Sequence, residues 1–231
     1  MAYAIINNYI DRSLYPLKAP HAMTPQYITI HNTYNDASAL NEIAYMHRNK
    51  DATSYHVAID DKHAVQAIPF NRNAWHAGDG QGPGNRKSIG IEICYSKSGG
   101  PKYAAAEANA IEYVAHVLKQ YGWGIDRIKW HRDWSGKKCP HRIIDEGRLQ
   151  EVKNKIAAKL AQLNGVASTQ GEKEVDEMAQ TLPKTQQDDM RALLKRAYTD
   201  KVFSVDHSTK VDKMTRGEAV DLLISYNARK K

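Results

Sequence analysis

No run of about 18 or more apolar residues, the length a membrane-spanning helix needs, occurs in this 231-residue chain, so no membrane span is expected. The opening stretch, MAYAIINNYIDRSLYPLK, sets no basic segment ahead of an apolar one and does not read as a secretory leader. The expectation is a protein made in the cytoplasm; if it works beyond the membrane, something else must let it out. Cysteine is scarce: Cys94 and Cys139 leave room for one disulfide at most. Beside ten histidines, a thiol or metal-binding role is the better expectation for at least one of them. There is no internal repeat, and no basic stripe interleaved with aromatics that would point to nucleic acid as a partner.

What is present suffices for a real core, with 42% apolar and 26% charged residues. The net charge of +7 is unevenly spread. Residues 1–160 hold 21 basic and 15 acidic side chains, and the remaining 71 hold 12 and 11. A basic larger domain favours polyanionic partners, an anionic cell wall among them; simple solubility would explain the same excess.

Periodicity divides the chain. Residues 26–33 alternate, with Ile28 and Ile30 on one side and Thr29, His31 and Thr33 on the other: a strand with an apolar back and a polar front. Residues 38–49 fit a helix with Leu40, Ile43, Ala44 and Met46 or His47 on one side. Residues 53–68 read as a hairpin turning at Asp60-Asp61-Lys62. Residues 71–87, rich in Gly and Asn, form a loop too long to be a mere connector. In the strand 88–95, Gly90, Glu92 and Cys94 share one face and Ile91 and Ile93 the other. A helix over 103–121 carries Ile111, Val114, Ala115, Leu118 and Tyr121 at helical spacing, with Gly122 at a left-handed cap. A strand over 126–131 ends at His131, and a helix covers 146–163. Interspersed strands and helices predict an α/β domain with a mixed sheet over residues 1–163. Residues 164–175 are small and polar and read as a linker. Beyond it, Met190, Leu193, Leu194, Ala197 and Tyr198 form one helical stripe (184–198), and Val220, Leu222, Leu223 and Ile224 another (215–228). Thr215 and Glu218 make a capping box for the second. Residues 176–231 are thus a small helical module, marginal in core size.

Three positions suggest chemistry together: His31 on the polar front of a strand, His131 at the end of another, and Cys139 eight residues on. Two imidazoles and one thiolate leave an open fourth position on zinc, which catalysis needs and a four-cysteine structural site lacks. As residue types alone they are equally surface or core histidines and a buried thiol. Glu92 is equally a strand carboxylate in an ion pair, Lys137 and Lys138 a solvated charge pair, and Tyr55 a packing residue. Cys94 reads as a small apolar residue. His56 and His141, beside these positions, are assigned no role.

Four stretches occur in order: YITIHNT (27–33), SYHVAIDD (54–61), NAWHAGDG with GNRKSIGIEICYS (73–96), and KWHRDWSGKKCPHRI (129–143). Over about residues 1–160 they resemble the type 2 N-acetylmuramoyl-L-alanine amidases, a family of phage endolysins, bacterial autolysins and peptidoglycan recognition proteins, and most of all the endolysins and autolysins of Bacillus and its phages. The resemblance implies a central mixed sheet flanked by helices and hydrolysis of the amide bond between N-acetylmuramic acid and L-alanine in peptidoglycan. It implies one zinc ion held by His31, His131 and Cys139, Glu92 as general base and then acid, Lys137 as oxyanion stabiliser, and Tyr55 where some members carry a tyrosine near the metal. Trp75, His76, Asn85 and Arg86 in the long loop are expected to line the substrate groove. A non-catalytic peptidoglycan-binding sensor of the same fold is the alternative; that branch typically replaces the cysteine that Cys139 supplies here. Residues 197–226 resemble, through TRGEA and the apolar helix after it, part of a single S-layer-homology-like unit, which implies attachment to wall polymers, with self-association as the other job for this module.

Overall fold

A computed structural model describes residues 3–165, 184–201 and the single positions Ser208, Thr209, Val211, Met214 and Ala219. Its elements are β1 (Ala4–Asn7), α1 (Tyr15–Lys18), β2 (Tyr27–Asn32), α2 (Ala39–Arg48), β3 (Val57–Ile59), β4 (His63–Gln66), α3 (Pro83–Lys87), β5 (Ser88–Ile93), α4 (Gly100–Tyr121), β6 (Ile128–Trp130), α5 (Arg132–Ser135), α6 (His141–Asp145), α7 (Leu149–Leu163) and α8 (Lys184–Thr199). Six strands form one sheet in the order β1-β4-β3-β5-β2-β6. The β3–β4 hairpin is antiparallel and every other pairing is parallel, so the sheet is mixed, as expected. Among the described residues no helix is long and apolar enough to cross a membrane.

The strand alternation is realised as two buried faces. On one, Ile28 and Ile30 of β2, Val57 and Ile59 of β3, and Ile89, Ile91 and Ile93 of β5 pack with Val114 and Leu118 of α4 and Val152 and Ile156 of α7. On the other, Ala58, Val65 and Cys94 meet Ala39, Ile43 and Met46 of α2. The polar front of β2 is therefore not open to water: Thr29 and His31 are buried. Parallel pairing sets His31 opposite Glu92 and Thr29 opposite Gly90.

The hairpin turns where the sequence predicts it. Asp60 Oδ1 accepts the Lys62 and His63 N–H groups, each at 2.7 Å. Its Oδ2 accepts the N–H of Ala39, the first residue of α2, at 2.9 Å, while Ser38 Oγ caps Asn41 N–H. These two anchors fix the rotation of α2. They turn Ala39, Glu42, Ile43 and Met46 inward and leave Leu40 exposed, which corrects the expected stripe through Leu40 and Ala44. Helix α4 starts three residues earlier than expected and ends on Gly122, whose φ of 63° and N–H to the Leu118 carbonyl form the left-handed cap.

Backbone contacts divide the chain into Met1–Val166 and Ala167–Lys231. In the second unit, Met190, Leu194 and Ala197 of α8 cluster with Val211, Met214 and Ala219. Tyr198, expected in that stripe, is exposed. Residues 166–175 of the expected linker, the Thr215–Glu218 capping box, and 215–228 apart from Ala219 lie outside the described residues.

Candidate metal and catalytic site

Parallel pairing puts the C-terminal ends of β2, β5 and β6 side by side, and ligands of open α/β sheets bind beyond such ends. His31 is the penultimate residue of β2, and His131 directly follows β6. Cys139 comes from the turn between α5 and α6, where its carbonyl accepts Arg132 N–H at 3.1 Å and its N–H reaches the Lys137 carbonyl at 2.7 Å. The three converge although 100 or more residues separate His31 from its partners. His31 Nδ1 lies 3.0 Å from His131 Nδ1 and 3.7 Å from Cys139 Sγ. One ligand atom from each falls within 4.8 Å of the others, and all three residues are buried. The expected metal set is thus one cluster.

The electrostatics suit cation binding. Burial, then the neighbouring imidazoles, holds His31 well below its ordinary value, and burial with the Lys137 charge lowers His131 to about 4. Both are neutral imidazoles near pH 7, the ligating form. Burial and then the Glu92 charge push the Cys139 thiol up to about 12. Such a thiol ionises only with a cation beside it, so metal uptake would release its proton.

Glu92 stands next to this cluster, with Oε1 3.9 Å from His31 Nδ1. Among the described residues its Oε2, buried, has no hydrogen-bond partner. Burial first, and the charge of Glu42 second, raise the carboxyl to about 8, against the pull of Lys137. Lys137 is exposed at the mouth of the groove; Lys138 pairs with Asp145, whereas among the described residues Lys137 makes no ion pair. That difference separates two lysines that residue type alone could not rank.

A groove of about 890 Å³ runs over the cluster, lined by His31, His131, Cys139, Glu92, Lys137 and Tyr55 among others. Glu42, which no sequence signal singled out, lines it too. Its carboxylate accepts the Tyr55 hydroxyl at 3.2 Å and the Asn35 amide at 2.5 Å. The inward face of α2 delivers it, so a correctly phased helical stripe would have flagged it. Tyr34 and His141, edge to face with centroids 4.4 Å apart, also line the groove.

Of the four residues expected along the groove, only His76 is part of its lining. It is buried, with its ring against His31. Trp75 gives its N–H to Ser54 Oγ and packs on His21. Asn85 is buried and accepts the N–H groups of His76 and Ala77. Arg86 donates to Gln81 Oε1 at 2.6 Å. The loop folds down over the polar face of the sheet, and that demand places these three away from the groove.

An α/β domain with an open two-histidine, one-cysteine cluster at its strand ends is the class that fold and site define. The family model described as N-acetylmuramoyl-L-alanine amidase matches residues 21–142, and the chain belongs to that family. It is 60% identical over 166 residues to the N-acetylmuramoyl-L-alanine amidase CwlA of Bacillus subtilis (strain 168), covering 71% of this chain and 61% of the relative. It is likewise 60% identical over 169 residues to XlyB of the same organism, covering 73% and 52%. The chain thus spans roughly half to two thirds of the length of these relatives. The solved structure of PlyL matches with a TM-score of 0.66 at 50% identity, covering 67% of this chain and 98% of that one.

Proposed function

We propose that this chain is a zinc-dependent amidase that hydrolyses the bond between N-acetylmuramic acid and L-alanine in bacterial peptidoglycan, as an endolysin or autolysin acting on the wall after release from the cytoplasm. The observation that carries the reading is the thiol: Cys139 stands with His31 and His131 around one point. Tetrahedral zinc, with bonds of about 2.0–2.1 Å to nitrogen and 2.3 Å to sulfur, sets neighbouring donors roughly 3.3–3.6 Å apart. The N···N and N···S separations of 3.0 and 3.7 Å bracket that range, and three ligands leave a fourth position open. Bound zinc would supply a Lewis acid that polarises the scissile carbonyl and acidifies water.

The chain's own groups divide the rest of the work. Glu92, beside the cluster with its Oε1 3.9 Å from His31 Nδ1, is the proton carrier. It takes a proton from the attacking water and passes it to the leaving nitrogen, as base and then acid. Lys137 lends positive charge to the oxygen on which negative charge develops. Tyr55 has committed its hydroxyl hydrogen to Glu42, so it is left to accept from a substrate N–H. The relatives CwlA and XlyB, named as amidases of this kind, support the same bond. The basic excess of the first unit suits anionic wall polymers, and we assign wall attachment to residues 176–231.

Mass spectrometry of fragments released from purified walls, with and without a chelator, tests the reading. Free stem peptides with new L-alanine amino termini are expected, and only without the chelator. New reducing sugars in their place would mark a glycosidase and overturn it.

A further inference from the structure

The two imidazoles of the cluster are steadied in different ways. The Ala77 carbonyl lies beside the His131 ring and favours its protonated form, and His131 turns Nδ1 toward His31. A backbone carbonyl is an ordinary partner for a metal-binding histidine. His31 also keeps Nδ1 toward the cluster, but its Nε2 meets neither a carbonyl nor a carboxylate. It meets Nδ1 of His76 at 3.0 Å, with the rings edge to face at 87°. A neutral imidazole donates from one nitrogen and accepts at the other. His76 Nε2 lies 3.3 Å from the Ser88 carbonyl, which can only accept, so Nε2 carries the hydrogen and Nδ1 is bare. His31 must then donate from Nε2, which bares its own Nδ1. The result is a bare His31 Nδ1 lone pair facing the cluster, 3.0 Å from His131 Nδ1 and free to bind a cation.

Two further observations concern the support itself. A Cβ on Gly90 would come within 2.8 Å of His76 Cγ and Cδ2, so the glycine of IGIEI is what lets the ring lie on β5. Asn85 Oδ1 accepts the N–H groups of His76 and Ala77 at 2.7 and 2.8 Å. One amide therefore clamps the dipeptide that supports both imidazoles.

We infer that His76 is a positioning residue for the metal site: held by the Ser88 carbonyl, Gly90 and Asn85, it fixes His31 in the tautomer whose Nδ1 is free to bind zinc. The inference rests on the zinc reading above and adds to it a dedicated second histidine behind the first. It predicts that zinc affinity depends on a residue that does not itself touch the ion.

The test compares the full chain with two variants in zinc competition against a chromogenic chelator. His76→Phe keeps a ring and removes the acceptor. His76→Gln can accept from His31 at Oε1 and donate to Ser88 from Nε2. The Phe variant is expected to lose zinc affinity by about 10–100-fold, and the Gln variant to recover most of it. If the wild type binds one zinc and the folded Phe variant binds it as tightly, the positioning role is overturned while the proposed function stands. A wild type that takes up no zinc overturns both. Because the Phe ring could disturb folding, nitrogen-15 NMR of the zinc-loaded wild type provides a decision without any variant. The His76 proton is expected on Nε2; a proton on Nδ1 would sink the relay.

Discussion

Both faces of the sheet are buried, yet they are built on different principles. Beneath α4 and α7 the residues are aliphatic and aromatic, and their contribution is area removed from water. Beneath α2 and the 73–87 loop the central strands present Thr29, His31, Gly90 and Glu92, with His56 and His76 laid over them. Buried polar groups cost stability unless they are hydrogen-bonded. Here nearly every one has a named partner: His56 Nδ1 accepts Gly90 N–H and its Nε2 donates to the Arg72 carbonyl, both at 2.9 Å. Among the described residues the exceptions on this side are Glu92 Oε2 and, in the loop, Asn73 Nδ2 and Arg86 Nε. The contrast teaches where the molecule spends stability: the apolar face holds the domain together, and the polar face holds a reactive geometry that the apolar face must support.

That division can be broken by substitution, and the largest effect is expected at the cluster itself. Cys139→Ser should abolish stoichiometric zinc binding and bring wall hydrolysis to background, read by metal analysis and turbidity loss, while the thermal transition of the chelated protein changes little. Next in size, Glu92→Gln should lower turnover by about 10²-fold. In chelated protein it should leave the melting temperature level or raise it, because it removes a buried carboxylate with an unpartnered oxygen. Ile91→Ala, its neighbour on the opposite face and fully buried, should do the reverse. It is expected to cost about 2–5 kcal/mol in denaturant unfolding with turnover per folded molecule retained. A Glu92→Gln protein that unfolds as easily as Ile91→Ala would erase the distinction between the faces.

The apolar face was legible in the sequence because its signal is local. Ile28 and Ile30, and Ile89, Ile91 and Ile93, announce their side by alternation alone. β1 was not legible: Ala-Ile-Ile-Asn is a short edge strand without alternation, and Ile5 stays half exposed. The site was legible only through whole motifs. The pairing of β2 with β6 brings His31 and His131 together across 100 residues, and no spacing rule encodes that. Glu42 shows what even the motifs left out, and for His76 they pointed to the groove but not to the ring's place against His31. Glu42 reaches the groove because Ser38 and Asp60 set the rotation of α2, and His76 turns inward because Gly90 leaves room for its ring. Both depend on tertiary contacts that override the local pattern.

A smaller effect should appear in acid. Burial holds His56 at about 4, below its ordinary value of 6.5, and its two hydrogen bonds use the neutral ring. A base whose folded pKa is depressed binds its proton more readily in the unfolded chain. Its contribution is therefore complete above about pH 6.5 and is lost as the pH falls toward 4. The loss from this one ring should approach about 3 kcal/mol. His56→Gln, which can keep one acceptor and one donor, should flatten that part of the profile in chelated protein, measured as melting temperature between pH 7 and 4.5. An unchanged profile would mean that this ring charges in place and the polar face is wetter than its burial implies.

The smallest expected effect on catalysis comes from the second unit. Among the described residues, Met190, Leu194 and Val211 belong to one buried cluster of that unit. All of the candidate ligands and catalytic groups belong to Met1–Val166. PlyL, 98% of whose chain is matched by 67% of this one, is a solved structure of about this unit's extent. Deleting residues 176–231 should therefore leave the turnover of a small soluble muropeptide within about twofold, since every candidate ligand and catalytic group is retained. The same deletion should lower sedimentation of the protein with intact walls. The two readouts separate the candidate roles of the tail. Loss of wall binding alone assigns it to attachment, whereas a concentration-dependent change in molecular mass with wall binding intact assigns it to self-association. Loss of small-substrate turnover would show that the apolar face of the first unit is not support enough for its polar one.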